Sequence, residues 1–340
     1  MGVDLGDVPK TPARIADLSG KKFAVDAYNA IYQFVSSIRQ PDGTPLMDSN
    51  GNPTGHLTGI FYRNARLLEN GIRLIYVFDG KPPDFKEDVL HERSERKLAA
   101  EAAWKAALEK GNLVEAKKHA QATSRLTPKM VEESKELLTL MGIPVVEAPS
   151  EGEAQASQMV IEGTADAVAS QDMDCLLFGA PLLLRNLSIG GRRKLPGRNE
   201  YVDVEPEFIE LKSALATLGM SREQLIWMGI LIGTDFDEGV KGIGPKKAYK
   251  IVKDCRSIEE AAKLAGAEEQ AEFFKIVEAF FLNPPVKPKA HVQFGKMDKE
   301  GLVKFLCAKH DFSEERVSRT IDNAEKKMKE TGAQTKLGNW

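Results

Sequence analysis

The chain reads as an α/β protein with a mainly parallel, twisted central sheet flanked by helices. Three observations predict this. Short apolar runs of strand length alternate with amphipathic helical stretches over the first two hundred residues. The opening pair of runs is joined by helices, which makes a right-handed parallel crossover the default. Acidic residues recur where strand-like runs end, and in open α/β sheets ligands bind beyond the carboxyl ends of the strands.

In order, FAVDA predicts a strand and AIYQFVSSI an apolar-faced helix, with RQPDGTPLMDSNGNP a turn-rich loop. HLTGIFYRNARLLENG predicts a helix closed by Gly71, and LIYVFD a buried strand. From Asp84 to about Arg125 the chain becomes rich in Ala, Glu, Lys and Arg, with few large apolar residues. This stretch predicts two helices broken at Gly111-Asn112 and poorly anchored to any core. A solvated hairpin and a mobile cap presenting Lys86, Arg93, Arg96 and Lys97 to phosphates both fit it.

PKMVEESKELLTLMG predicts a core helix, IPVVEAP a strand and EGEAQASQMVIEG a further helix. DAVASQD, PLLLRNL and EYVDVEP follow as strands, the last two predicted to form an antiparallel pair joined by the basic loop GGRRKLPGRNE. Beyond Glu207 the pattern is mostly helical to about Lys329, and TGAQTKLGNW is expected to lack structure of its own.

The 340 residues suffice for a large core, and 42% hydrophobic with 29% charged residues excludes an intrinsically disordered chain. No apolar run is long enough to span a bilayer, and the N-terminus lacks a secretory pattern. With three unclustered cysteines this predicts a protein of a reducing, intracellular compartment. The net charge is −3; setting aside seven acids discussed below leaves +4, which permits nucleic-acid binding without arguing for it.

Those seven are Asp26, Asp79, Glu151, Glu153, Asp172, Asp174 and Asp235. Each has an ordinary alternative: Ser150-x-x-Glu153 fits a helix capping box, Asp172-x-Asp174 a turn or a phosphatase-type nucleophile pair, Asp26 and Asp79 simple turns. Together, unbalanced acids at strand ends repel one another, by roughly 3 kcal/mol per pair at about 5 Å. Bound cations, raised pKa values or both would relieve that crowding. Oxygen-only ligands favour hard ions such as Mg²⁺ or Mn²⁺, and such clusters suit two-metal hydrolysis of phosphodiesters. No Ser-His-Asp or Cys-His set is apparent among the five histidines.

GTDFDEGVKGIGPKKAYKIV carries a second signal. Gly242-Ile243-Gly244 predicts a tight turn with Pro245 at the first position of the next helix, and Lys246 and Lys247 add charge beside free helix amides. With the apolar helix LIWMGILIG before it, this is a helix-hairpin-helix form that grips a nucleic-acid backbone without reading sequence.

The motifs VDAYNAIYQF, VFDGKPPDFK, APSEGEAQA, SQDMDCLLFG, GTDFDEGVKGIGPKKA and FLNPPV, in this order and spacing, resemble those of archaeal flap endonucleases, structure-specific 5′ nucleases. The resemblance runs end to end. It implies a PIN-like 5′-nuclease fold with a nuclease region at 1–98, a helical cap at 99–125, an internal nuclease region at 117–259 holding the hairpin, a helical region at 260–330 and a tail at 332–340. It implies cleavage of 5′-flap, double-flap and nicked DNA, with 5′–3′ exonuclease activity, in lagging-strand maturation and base-excision repair. The seven acids would be ligands of two Mg²⁺ ions, with Mn²⁺ as substitute. Glu151, Glu153 and Asp172 would be the more catalytic group, with Lys86 and Arg93 near the scissile phosphate. Tyr32 would stack the terminal base pair, while Gly242, Gly244, Lys246 and Lys247 would hold duplex, with a possible K⁺ ion. Phe312 to Arg316 would lie near a 3′-flap pocket. Gln334, Leu337 and Trp340 resemble a sliding-clamp box that ends at its first aromatic, which predicts weakened clamp binding. The expected protein is an archaeal intracellular monomer. Two rivals remain: a phosphomonoesterase using Asp172 or Asp174 as nucleophile, and a non-catalytic DNA-junction scaffold.

Overall fold

A computed structural model describes residues 3, 5–40, 42–86, 98–107, 109–187, 191–194 and 201–337. Seven strands form one sheet in the order β1-β9-β6-β5-β2-β3-β4. Five successive strands run parallel: β6 (Leu182–Arg185), β5 (Ala167–Ala169), β2 (Lys22–Asp26), β3 (Arg73–Phe78) and β4 (Val145–Glu147). β9 (Glu207–Glu210) and the two-residue β1 (Thr11–Pro12) close one edge antiparallel. The expected α/β class and its mainly parallel sheet are thus observed.

Residue alternation explains why the sheet is covered on both faces. In β2 and β3, Ala24, Ile75 and Val77 enter one core together with helices Gly152–Ile161, Arg222–Ile232 and Ala271–Leu282. Phe23, Val25, Leu74, Tyr76 and Phe78 enter the other, against helices Ala27–Ser37, Gly55–Glu69 and Pro128–Leu140. Segments before residue 80 and after residue 140 therefore contribute neighbouring strands to one sheet.

Three expectations change. The antiparallel partner of Leu182–Arg185 is Glu207–Glu210; the expected strand Tyr201–Val204 pairs instead with Gly191–Lys194 in a separate two-stranded ribbon. Four alternating residues on the far side of Pro206 can fill the half-buried edge position, with Ile209 fully buried there. The hairpin breaks at Gly111 (φ +67°) as expected, yet helix Leu113–Ala122 is seated by Ala116 and Ala120, both fully buried beside helix Ala27–Ser37. Small side chains allow close helix approach without the large apolar residues whose lack suggested weak anchoring. Finally, the terminal helix Glu314–Leu337 continues into the segment expected to be unstructured. Its Ala, Gln and Lys residues favour helix, and the single Gly332 costs only about 1 kcal/mol.

Candidate active site and nucleic-acid interface

The parallel strands deliver acids to one end of the sheet. Asp26 closes β2 and caps the following helix, its Oδ1 accepting from the Asn29 amide at 3.1 Å. Asp79 follows β3, and its Oδ1 accepts from the Gly152 amide at 2.6 Å. Glu151 and Glu153 open the helix after β4. Asp172 and Asp174 follow β5: Asp172 Oδ2 accepts from Asn29 Nδ2 at 2.6 Å, and Asp174 Oδ1 from the Val3 amide at 2.6 Å. Asp235 lies in the turn after helix Arg222–Ile232, where Gly233 (φ +114°) and Gly239 (φ +72°) bring backbone into contact that a side chain at either would block. Asp237, in the same turn, accepts from the Gly239 amide at 2.9 Å.

The predicted capping box does not form. Glu151 is the N-cap, without a side-chain cap bond, and the freed helix amide is taken by Asp79 from the neighbouring strand. Glu153 is left without that role, and its buried Oε1 has no hydrogen-bond partner. Gly152 is required here, because a Cβ would lie 2.7 Å from Asp79 Oδ1 and 3.2 Å from the Val77 carbonyl oxygen.

The cluster is electrostatically strained. Burial, then the neighbouring Asp79, Asp172 and Asp235, hold the Asp26 carboxyl well above its usual range. Burial followed by Asp174, Asp26, Asp172 and Asp235 does the same to Glu153. Asp79 is pushed up to about 6 by burial and then Glu151, and Asp174 to about 7 by burial and then Asp235. Among the described residues, the buried cation that answers them is Lys86: 7% exposed, it donates to Glu151 Oε1 and Oε2 at 2.9 and 2.8 Å and lies 3.8 Å from Asp235 Oδ2. Glu151 and Asp235 outweigh the desolvation that would otherwise lower it, and its pKa is raised.

Among the described residues, no three His, Cys, Asp or Glu side chains form a closed ion-binding set. The acids gather at one end of the sheet, several of them buried, without closing on one point, an arrangement suited to ions that retain several waters and take substrate oxygens. The unpartnered Glu153 oxygen and the mutual repulsion of the acids both fit occupancy by hard divalent cations.

The proposed polynucleotide contacts lie on surrounding elements. Tyr32 is 36% exposed on helix Ala27–Ser37. Gly242 has φ +80°; Gly244 is extended and caps helix Pro245–Val252, which has Pro245 at its first turn as expected. Lys246 and Lys247 are exposed beside it, as are Lys241 and Lys250. Phe312 stacks on Tyr62 at 6.5 Å, with Arg316 over the same ring at 5.4 Å. Gln334 and Leu337 lie on the terminal helix. Arg93, Arg96, Lys97 and Trp340 fall outside the described residues.

Several supporting groups were not foreseen. Asn29 joins two of the acids, and its signal was its place three residues after Asp26, where a helix amide meets its cap. Below Lys86, Phe85, Phe236 and Phe280 form an edge-to-face cluster with centroids 5.1–5.6 Å apart, and the Phe236 ring lies 5.2 Å from Lys86 Nζ. That packing couples the Asp235 turn to Lys86. Its signal was an aromatic beside a functional residue in both PPDFK and GTDFD.

A family model described as the XPG N-terminal domain matches residues 8–100, and one described as the XPG I-region matches 142–235. Flap endonuclease 1 of Thermococcus onnurineus is 51% identical over 342 residues, covering 100% of this chain and 99% of the relative. That of Pyrococcus furiosus is 50% identical over 343 residues, with 100% and 99% covered. The solved flap endonuclease-1 from Methanococcus jannaschii superimposes with TM-score 0.75 at 43% identity, over 97% of this chain and 99% of that one. The catalytic core of Rad2 in complex with DNA substrate shares the fold, with TM-score 0.66 at 23% identity over 93% and 96% of the two chains.

Proposed function

The chain belongs to the flap endonuclease family of XPG-type nucleases, hydrolases that cut DNA according to its structure, and on that premise we propose a two-metal, 5′-flap-specific incision for it. The observation that carries the proposal is the gathering of seven acids at one end of the sheet, answered among the described residues by the buried Lys86, with the Glu153 oxygen unpartnered.

Asp26, Asp79, Glu151, Glu153, Asp172, Asp174 and Asp235 would hold the divalent ions, with Mg²⁺ favoured and Mn²⁺ a substitute because every donor is oxygen. Bound there, such ions lower the pKa of a water and stabilise attacking and leaving oxygens. The protein's own groups do the rest. Asp79 and Asp174 are pinned by backbone amides and Asp172 by Asn29, so the acids keep their separation as a phosphate enters. Lys86 supplies positive charge beside Glu151 and Asp235, and with Arg93 it would stabilise charge developing on the scissile phosphate. Glu151, Glu153 and Asp172 form the more catalytic group.

Tyr32 would stack the base pair beside the scissile bond. The amides behind Gly244, with Lys246 and Lys247, would hold the downstream duplex phosphates, with K⁺ in the turn. Substrates would be 5′ flaps, double flaps and nicks, with 5′–3′ exonuclease action on recessed ends, serving lagging-strand maturation and base-excision repair. Gln334, Leu337 and Trp340 would bind the sliding clamp, and the protein would act as a monomer within an archaeal cell. No helix among the described residues is long and apolar enough to cross a membrane.

Labelled double-flap DNA incubated with Mg²⁺ tests the proposal, with EDTA and Asp174→Asn as controls and both product ends mapped. One metal-dependent incision near the flap base, lost in the variant without loss of DNA binding, is expected. Intact DNA with hydrolysis of p-nitrophenyl phosphate would favour a phosphomonoesterase, and unchanged turnover by Asp174→Asn would overturn the metal assignment.

A further inference from the structure

Beside the acids, on the side of helix Ala27–Ser37, lies a partly open cavity of about 30 Å³ lined by Asn29, Gln33, Asn64, Tyr76, Ser170, Gln171 and apolar neighbours. Two polar atoms in its lining residues are buried without a hydrogen-bond partner: the acceptor Gln33 Oε1 and the donor Asn64 Nδ2. The volume admits about one or two waters, and a polar cavity of that size with complementary unpaired groups holds water. On either side, the hydrogen bonds are already made. Asn64 Oδ1 accepts from the Tyr76 hydroxyl at 3.0 Å, Gln33 Nε2 donates to Asn29 Oδ1 at 3.4 Å, and Asn29 Nδ2 donates to Asp172 Oδ2 at 2.6 Å.

We propose that Asn29, Gln33, a water held in this cavity, Asn64 and Tyr76 form one hydrogen-bonded chain whose task is to position Asp172, with Asn29 as the positioning residue in contact with it. The inference rests on the assignment of Asp172 to the metal site. The direction of the chain is set at one end, because an ionised carboxylate only accepts. Asn29 must therefore present its amide nitrogen to Asp172 and its oxygen to Gln33. Gln33 in turn must present its nitrogen to Asn29 and its oxygen to the cavity, where the water donates to it and accepts from Asn64 Nδ2. Every member is satisfied in this one polarity, and turning over the Asn29 amide would set its oxygen against the carboxylate. A neutral amide fixes the carboxylate's geometry while leaving its full charge for a cation. The lysine on Glu151 does not do this, since its own charge offsets that of its partner. Fully connected polar chains of this kind rigidify what they hold.

The test is a double-mutant cycle in the full-length protein, with single-turnover cleavage of double-flap DNA, DNA affinity in EDTA and calorimetric Mn²⁺ affinity as readouts. Asn29→Ala is expected to slow cleavage and weaken Mn²⁺ binding by roughly 10- to 100-fold, the usual cost of losing a group that orients a ligand, with DNA affinity unchanged. Gln33→Leu should slow cleavage several-fold, and the double variant should be no slower than Asn29→Ala, because Gln33 acts only through Asn29. A high-resolution crystal structure should show a water touching Gln33 Oε1 and Asn64 Nδ2. Additive losses, an Asn29→Ala protein as fast as its parent, DNA affinity falling in step with rate, or a dry cavity would each overturn the proposal. Should Asn29→Ala fail to fold, Gln33→Leu at its half-buried position carries the test through the Mn²⁺ and water readouts. A parent protein that leaves flap DNA uncut would overturn the proposed function itself.

Discussion

Glu153 shows how a single side chain can be costly for the fold and necessary for the chemistry. Its Oε1 is buried and unpartnered, and burial with four surrounding acids raises its pKa. Glu153→Gln removes that charge at constant shape. The variant is expected to cleave flap DNA roughly 10²- to 10³-fold more slowly, in the range seen when one charge-stabilising group is lost. Without divalent ions at pH 8 it should melt above the parent, by roughly 2–4 °C per kcal/mol relieved. The sign follows from linkage: acids such as Asp79 (about 6) and Asp174 (about 7) bind protons more tightly folded than unfolded. Stability of the metal-free protein from this source is therefore fully present below about pH 4 and lost as pH rises from there through the folded values of about 6 and 7. Added Mg²⁺ should restore it above pH 7, as differential scanning calorimetry with and without EDTA would show. The cluster's acids, Lys86 and the tight turn at Gly242 were all legible in the sequence. The Asn29–Asp172 and Asp79–Gly152 bonds were not, because each joins groups more than seventy residues apart.

At the scale of elements, local sequence decides where helices begin, and neighbouring elements decide which groups cap them. Ser150-x-x-Glu153 has the spacing of a capping box, yet Asp79 on the adjacent strand takes the Gly152 amide. Gly152→Ala is expected to destabilise the protein by about 1–3 kcal/mol through forced displacement of Asp79, and to lower cleavage with it. Gly244→Ala makes the contrasting case: φ is −104° and an added Cβ meets no atom within 4 Å. Its melting temperature should stay near the parent's while duplex affinity falls, as a phosphate approaching the bare amides would meet the new methyl. A second buried polar cluster joins elements far apart in the chain. His56 Nε2 lies 3.1 Å from Glu133 Oε2, His310 Nε2 lies 3.8 Å from Glu133 Oε1, and His310 Nδ1 lies 3.7 Å from Asp48 Oδ2. Burial, then His310 and Lys129, lowers His56 to about 4. A histidine held neutral in the fold and protonated near 6.5 when unfolded takes stability away as pH falls from 6.5 to 4. Between pH 6.5 and 5 the loss should be roughly 2 kcal/mol, opposite in sign to the acid cluster's effect. His56→Gln should flatten that part of the curve relative to the parent in urea unfolding.

For the whole molecule, the proposed clamp contact is separable from the sheet that carries the acids. Removing residues 332–340 should leave flap cleavage by the free protein within about twofold and abolish any stimulation by a sliding clamp, measured with and without the clamp on circular DNA. A fall in unstimulated cleavage would count against an independent tail. The α/β class, the strand order's parallel centre and the seven acids followed from features that lie within ten or so residues of one another: apolar periodicity, turn glycines, and acids at strand ends. Such features are legible because backbone propensity and side-chain alternation act locally. Which strand closes the sheet's edge, which amide satisfies which carboxylate, how alanines seat helix Leu113–Ala122 and why Asn29 faces Asp172 were decided only by the tertiary structure. Those outcomes depend on competition between distant partners for the same buried donor or surface, and a linear pattern carries no record of which partner wins.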